Sequence, residues 1–433
     1  VNLKQIIEDQ KEELFDSMRD KKLVTREFQT EFKAFDSSNL VKVITGIRRS
    51  GKSVFLYQFL KDRPFAYLNF DDDRLGNIRP DDILKIFYDM YGENFNTIFF
   101  DEIQNLPHWE LFINRLKRSG FNVFITGSNA KLLSTELATH LTGRHLTMEI
   151  YPFSFREFLV ARDVEINIKT TKGRSLIKHE LDNFIREGGF PEVVAERENY
   201  KLYLKSLYRQ ILENDILTRR KIAFKKAFKE VSASLVSNPG NLVTYNRIKK
   251  QFDFKSEHTV KNYISYLHEA YLFIPISRFS FKAVEVEKSP KKIYAIDTGL
   301  INAISLKFML NIGRLYENMV AVELKRRQSL DEGMEIYYYK NSQNYEVDFI
   351  IKRELSVDRL IQVCFDLRDA GTKEREVRAL LYASKDLRCD DLLIITADHE
   401  GTEEVEWFNM KARIKFLPLW KWLLENPHNP VKL

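Results

Sequence analysis

Short apolar runs alternate along the first third of the chain with stretches whose apolar residues recur at helical spacing. Val41-Lys42-Val43-Ile44-Thr45 is a β-branched run that enters a glycine-containing loop, and a helical pattern follows it. Phe65 to Phe70, Thr97 to Asp101, Asn122 to Thr126 and His145 to Ile150 read as four further strands, the last ending just before Pro152. Residues 3 to about 35 mix polar and apolar positions as one helix would. Strands separated by helices predict a mostly parallel sheet covered on both faces, an α/β fold.

After Phe155 the pattern becomes helical, with a turn at Gly188-Gly189-Phe190-Pro191 and a long helical stretch from about Asn199 to Lys221. From Lys225 to Ala295 the order is three helices and then two β-rich segments, Phe273 to Phe281 and Lys291 to Ala295. From Gly313 the order is helix, three strands, helix and a strand ending in Leu392-Leu393-Ile394-Ile395-Thr396. No internal repeat or low-complexity segment interrupts this.

At 433 residues the chain is long enough for about three domains at ~150 residues each. Apolar residues at 44% and charged residues at 30% fit a water-soluble chain, and no run approaches the ~18 apolar residues of a membrane span. The N-terminal stretch lacks the apolar core of a secretory signal, so a cytoplasmic protein is expected, with no membrane partner. Cys364 and Cys389 are too few for a disulfide framework or a zinc site. The formal charge of +6 is uneven: Arg219 to Lys292 holds 16 Lys plus Arg against 6 Asp plus Glu, so that segment carries +10 and the remainder −4. A local basic excess is the footprint of nucleic-acid contact or of a solvated helical face.

Gly46-Ile47-Arg48-Arg49-Ser50-Gly51-Lys52-Ser53 matches G-x-x-x-x-G-K-[ST] between a strand and a helix, the context that phosphate binding requires. Backbone N–H groups of Gly46, Arg48, Arg49, Ser50, Gly51, Lys52, Ser53 and Val54, at a helix N-terminus, would wrap the phosphates of ATP. Lys52 would meet the β- and γ-phosphates and Ser53 would ligate Mg²⁺. Asp101, ending an apolar strand 48 residues beyond Ser53, would hold the same Mg²⁺ through water. Glu102 next to it is placed to deprotonate an attacking water, which favours hydrolysis over small-molecule phosphorylation. Ser128 and Asn129, after the next strand, are candidate γ-phosphate sensors, and Arg144 could stabilise transition-state charge in cis or across a subunit interface.

These stretches, together with Phe100-Asp101-Glu102-Ile103-Gln104, Thr126-Gly127-Ser128, Gly143-Arg144, Pro152 to Phe158, Gly188 to Glu192 and Glu346-Val347-Asp348-Phe349, resemble the prokaryotic AAA-type ATPases of the archaeal ATPase group. The resemblance implies a P-loop core with sheet order 5-1-4-3-2, self-assembly into a homo-oligomer, and a C-terminal winged helix and PD-(D/E)xK nuclease-like domain. It divides the chain into an N-terminal helical segment (1–35), the ATPase core (36–155), a helical lid (156–222), a winged helix-turn-helix (223–300) and a nuclease-like domain (305–433).

Within Ser256 to Tyr271, Val260, Ile264, Leu267 and Tyr271 would face a core, leaving His258, Lys261, Asn262 and Ser265 outward. That surface is what would enter a DNA major groove, with Lys288, Lys291 and Lys292 on the wing meeting phosphate. In the nuclease-like part, Glu317 and Asp348 match two acidic positions, but Gln362-Val363-Cys364 stands where Glu-x-Lys is needed. Gln362 brings no charge to a metal and Cys364 no ammonium, so a degenerate site is expected, with Lys340 or Lys352 as possible migrated lysines. The reading that follows is an ATP-hydrolysing, DNA-associated motor or remodelling factor. Its alternatives are a nucleotide-controlled signalling switch that binds a protein, or an ATP-regulated nuclease.

Overall fold

The computed structural model describes the chain except residues 1, 20–21, 77, 94, 130–142, 197–198, 306–310, 409 and 426–433. It divides into two compact units, Val1–Pro152 with Glu269–Tyr271, and Phe153–His268 with Leu272–Leu433.

In the first unit β1 (Val41–Thr45), β2 (Ala66–Asn69), β3 (Thr97–Asp101), β4 (Asn122–Gly127) and β5 (His145–Glu149) form one sheet of order β2-β3-β4-β1-β5, every neighbouring pair parallel. This is the expected order. Every residue of β1 and β3 is buried, as a central parallel sheet with both faces covered demands. The period of two then sorts the side chains. Val41, Val43, Ala66, Leu68, Ile98, Phe100, Val123 and Ile125 form one core with α1 (Leu3–Arg19), α4 (Pro80–Tyr91) and α5 (Trp109–Arg118). Phe124 points to the other face and meets Phe32 and Phe59, from α2 (Gln29–Asp36) and α3 (Lys52–Leu60).

The single helix expected over residues 3 to 35 is in fact two helices, because the intervening Val24, Arg26 and Phe28 are buried and no continuous helix could present all three inward. Helix α1 also settles the edge of the sheet. Gln10 accepts from the Asn69 N–H at 2.8 Å and donates to the Asn69 carbonyl at 3.1 Å, so a side-chain amide pairs the outer side of β2 as a strand would.

The second unit is built on one nine-stranded sheet. Its strands are β6 (Asn241–Val243), β7 (Phe273–Arg278), β8 (Lys291–Ala295), β9 (Met334–Lys340), β10 (Glu346–Arg353), β11 (Ser356–Val363), β12 (Leu392–Thr396), β13 (Gly401–Trp407) and β14 (Met410–Pro418), in the order β13-β14-β12-β11-β10-β9-β7-β8-β6. The β-rich segment expected to reach Phe281 ends at Arg278, where β7 pairs in parallel with β9 through Ser277–Tyr337 and Arg278–Tyr338. That short ladder joins the three strands beside the basic helices to the C-terminal α/β part. Strands β13 and β14 and the helix Leu419–Leu424 lie beyond the predicted elements; β13 alternates exposed charges with half-buried residues and carries no apolar run to announce it.

The Gly188-Gly189-Phe190-Pro191 turn has a stereochemical cause. Asp297 accepts from the Gly189 N–H at 2.7 Å and the Leu300 N–H at 3.1 Å, while a Cβ on Gly188, whose φ is +83°, would lie 2.1 Å from an Asp297 carboxylate oxygen. Burial raises the Asp297 carboxyl to about 6, against the pull of the Gly189, Leu300 and Gly299 N–H groups. A carboxyl that titrates higher folded than its ordinary 3.8 favours the fold at low pH, and the contribution is lost as pH rises through 6. Relative to Asp297→Asn, the wild-type chain should therefore lose about 3 kcal/mol of stability between pH 4 and pH 7 in denaturant titrations. A difference that stays constant over that range would show that Asp297 titrates normally.

Candidate active site at the sheet's carboxyl edge

Parallel strands bring their C-terminal ends to one edge, and the functional residues of the first unit collect there because β1, β3 and β4 all end at it. The loop after β1 is shaped by close contact. A Cβ on Gly46 would lie 2.1 Å from the Ile150 carbonyl oxygen, and Gly51, at φ +91°, turns the chain into α3. The N-cap of α3 is Gly51, which offers no side-chain cap to the first turn of the helix. The buried Lys52 ammonium donates to the Gly46 and Ile47 carbonyls, both at 3.1 Å.

Asp101 and Glu102 close β3. Buried Asp101 receives hydrogen bonds from Thr126, from Ser53 and, at 3.4 Å, from the Tyr67 hydroxyl. Its carboxyl is raised by burial and by the neighbouring Glu102 charge, against the pull of Ser53, Thr126 and Lys52. Glu102 takes a left-handed backbone, φ 50°, fixed by an N–H bond to Thr126 Oγ1 at 3.0 Å. Its carboxylate accepts from Ser128 at 3.1 Å and from Gln104. Burial works to raise the Glu102 pKa, but Lys52, Gln104, Arg48 and Ser128 outweigh it and hold the group below the ordinary carboxylate range. The two adjacent acids are thus shifted in opposite directions, Asp101 upward and Glu102 downward.

The loop fits a nucleotide and its metal. Ser50 Oγ is buried with no partner among the described residues, α3 is uncapped, and Ser53 already touches Asp101, the pairing that would hold Mg²⁺. Val54 follows in the first turn of α3, Arg48 lies 3.7 Å from Asp71, and Arg49 is exposed at φ 65°. Ser128 and Asn129 are buried at the end of β4, on the same edge.

Arg144 is placed elsewhere. It precedes β5, whose first residue His145 pairs with Val41 at the start of β1, and its own carbonyl accepts from the Val41 N–H at 3.0 Å. The length of β1, roughly 13 Å at ~3.3 Å per residue, separates it from the phosphate loop, so a role for Arg144 in cis is excluded by topology. Its guanidinium instead reaches Asn114 at 3.2 Å. Leu141 and Thr142 lie outside the described residues.

Two residues to which the sequence reading gave no role of their own belong to this site. Thr126 bonds both acids at once, and its place in Thr126-Gly127-Ser128 was the available signal. Arg26 is buried and donates to the carbonyls of Ser50, in the phosphate loop, and of Tyr151 at 2.9 Å. Nothing in the local pattern marks it.

In the second unit, Val260, Tyr263, Ile264 and Leu267 form the buried face of helix Glu257–Glu269, with His258, Lys261 and Ser265 exposed and Asn262 half-buried. Lys288 is exposed and Lys291 half-buried, but Lys292 is not a wing residue open to phosphate. It is buried on β8, where every residue from Lys292 to Ala295 is buried, and its ammonium lies among Asp348 (2.8 Å), Glu346 (2.9 Å) and Glu317 (3.0 Å). Burial first and then Asp348 raise the Glu317 carboxyl to about 7, opposed by Lys292 and Tyr294. Gln362 faces the Asp348 N–H (3.2 Å) and Glu376 (2.6 Å), and burial pushes the Cys364 thiol up to about 11, an inert group. Lys340 pairs with Glu346 at the rim at 3.2 Å, and Lys352 with Glu335 away from the cluster.

Residues 38–159 match the model of an AAA domain, and residues 178–312 and 312–422 match two domains of unknown function, DUF8612 and DUF4143. The chain is 39% identical over 404 residues to the uncharacterized protein MJ1544 of Methanocaldococcus jannaschii, covering 89% of this chain and 88% of that one. An uncharacterized protein of Haemophilus influenzae is 31% identical over 403 residues, 88% of this chain and 96% of its own length. Among solved structures, the Walker-type ATPase PABY2304 of Pyrococcus abyssi aligns with a TM-score of 0.46 and 17% identity, over 67% of this chain and 99% of that chain.

Arg26→Met keeps the bulk of the side chain but frees the Ser50 carbonyl from Tyr151. Nucleotide affinity should fall about tenfold, roughly 1.4 kcal/mol, with circular dichroism unchanged. Affinity equal to wild type by calorimetry would remove Arg26 from the positioning of the loop.

Proposed function

The chain belongs to the archaeal-type AAA P-loop ATPases, and from that membership we propose that it binds ATP with Mg²⁺, hydrolyses it, and couples the turnover to DNA as a motor or remodelling factor. The observation that carries hydrolysis is the Glu102 carboxylate beside Asp101, its backbone fixed by Thr126 and its side chain held by Ser128 and Gln104. In this reading Glu102 takes a proton from the attacking water, while Lys52 and the uncapped N–H groups of α3 bear the charge that develops on the phosphate. Ser53 and Asp101 hold Mg²⁺, which supplies electrostatic stabilisation of the phosphates. Ser128 and Asn129 sense the terminal phosphate, Ser128 through its bond to Glu102. Arg144 acts, if the chain assembles into a homo-oligomer, on a neighbouring subunit's site.

The DNA half of the proposal rests on charge. Arg247 and Lys250 on helix Tyr245–Gln251, Lys255 in the loop after it, and His258 and Lys261 on helix Glu257–Glu269 are exposed, and the outward side of the latter helix carries no acid between His258 and Ser265. Phe281 and Val284, 83% and 62% exposed, stand beside Glu285 and Glu287 on the same wing as Lys288. That mixture of apolar and acidic groups suits a protein surface better than phosphate, and it supports the alternative of a switch with a protein partner.

Lys52→Ala should weaken ATP binding by about 10- to 100-fold, the loss of a charge-assisted contact of roughly 1.5–3 kcal/mol. Glu102→Gln should leave binding within a few-fold of wild type and reduce turnover by about 10²- to 10⁴-fold. Equal loss of binding in both variants would remove Glu102 from the role of base. ATPase rates with duplex, branched and single-stranded DNA decide the partner. DNA affinity should fall with salt at about −0.9 in log–log slope per phosphate neutralised. No binding at low salt would sink the DNA reading in favour of the protein-binding switch.

A further inference from the structure

The C-terminal α/β part carries three acids, Glu317 on helix Ile312–Gln328 and Glu346 and Asp348 on β10, that converge on one point. A divalent cation at such a point needs oxygens at roughly 2.0–2.6 Å and open positions for water or substrate. What stands there instead is the ammonium of Lys292, 3% exposed, with one carboxylate at each of 2.8, 2.9 and 3.0 Å. An ammonium has three N–H donors and no acceptor, so three carboxylates satisfy it one for one.

The remaining polar capacity is also used. Asp348 accepts the Val363 N–H with its second oxygen at 2.9 Å, and the Tyr294 hydroxyl donates to Glu317 at 2.6 Å. Gln362 is turned away, onto the Asp348 N–H and Glu376. Among the described residues no group of three or more His, Cys, Asp or Glu is arranged to hold a metal ion. The divalent metal of a nuclease-like fold therefore does not fit these residues.

We propose that Lys292 is the resident cation of this site: its ammonium takes the place of a divalent metal and ties β8, next to the basic helices, to β10 and helix Ile312–Gln328 by charge. The segment that brings the lysine also brings Tyr294, two residues on and so on the same face of β8, which closes the cluster from the side of Glu317. Two devices then join the basic part of this unit to its C-terminal part, the parallel β7–β9 ladder and this buried ion cluster. A fixed lysine serves such a joint better than a metal, because it cannot dissociate, and truncating it would leave three buried acids repelling one another.

The test is Mn²⁺ binding by the full chain without nucleotide, followed by electron paramagnetic resonance, for wild type, Asp348→Asn, Lys292→Met and the double variant. Wild type and Asp348→Asn should bind Mn²⁺ equally weakly. Lys292→Met should gain one Mn²⁺ per chain, at least tenfold tighter, and the double variant should lose it. Mn²⁺ binding by wild type that Asp348→Asn abolishes would overturn the proposal, as would a folded Lys292→Met that gains none. If Lys292→Met does not fold, the melting temperature of wild type decides. Equal values in Mn²⁺ and in EDTA support the resident ammonium, and a rise of several degrees in Mn²⁺ that Asp348→Asn removes refutes it.

Discussion

Two adjacent carboxylates at the end of a fully buried strand are costly unless each is given its own partners, and the carboxyl edge of the first sheet is organised around that demand. Asp101 draws Ser53, Thr126 and Tyr67; Glu102 draws Ser128, Gln104 and the field of Lys52. Thr126 touches both residues, donating its hydroxyl proton to the Asp101 carboxylate and accepting the backbone N–H of Glu102. The left-handed turn at Glu102 is what sends the second carboxylate off the strand direction and toward Ser128.

The second unit repeats the problem with a different solution. Three acids meet in its interior, and the chain neutralises them with its own ammonium from a strand that precedes all three in sequence. The consequence reaches the surface. Lys292 is subtracted from the charge that the basic segment can offer a partner, and what remains exposed is spread from Lys225, Lys226 and Lys229 through Arg247, Lys250 and Lys261 to Lys282 and Lys288 on the wing. There Phe281 and Val284 are exposed among alternating acids and lysines.

Both units keep polar groups at strand ends and pay for them with neighbours drawn from distant parts of the chain. Gln10 finishes the outer side of β2, Arg26 backs the phosphate loop, and Asp297 anchors the Gly188-Gly189 turn. Each is a single polar side chain satisfying backbone groups where secondary structure leaves them unpaired. Among the described residues no helix is long and apolar enough to cross a membrane, consistent with cores spent on sheet faces.

The sequence by itself determined the parallel core, its strand positions and the placing of the Gly46–Ser53 loop and the Asp101–Glu102 pair at strand ends, since apolar runs, a glycine-lysine loop and a strand ending in two acids are local patterns set by neighbours in the chain. The outward side of helix Glu257–Glu269 was legible for the same reason, from a period of 3.6. Tertiary structure alone decided the rest. The break between α1 and α2 follows from three buried residues that no single helix could face inward, and β13 from pairing with β14 rather than from its own composition. Arg144 is removed from its own site by the direction of β5, and Lys292 from the wing surface by the acids of β10 and helix Ile312–Gln328 that meet its ammonium. A charge count treats every lysine alike, whereas which side of a strand faces the core, and which acids wait there, is fixed only when strands far apart in sequence are paired.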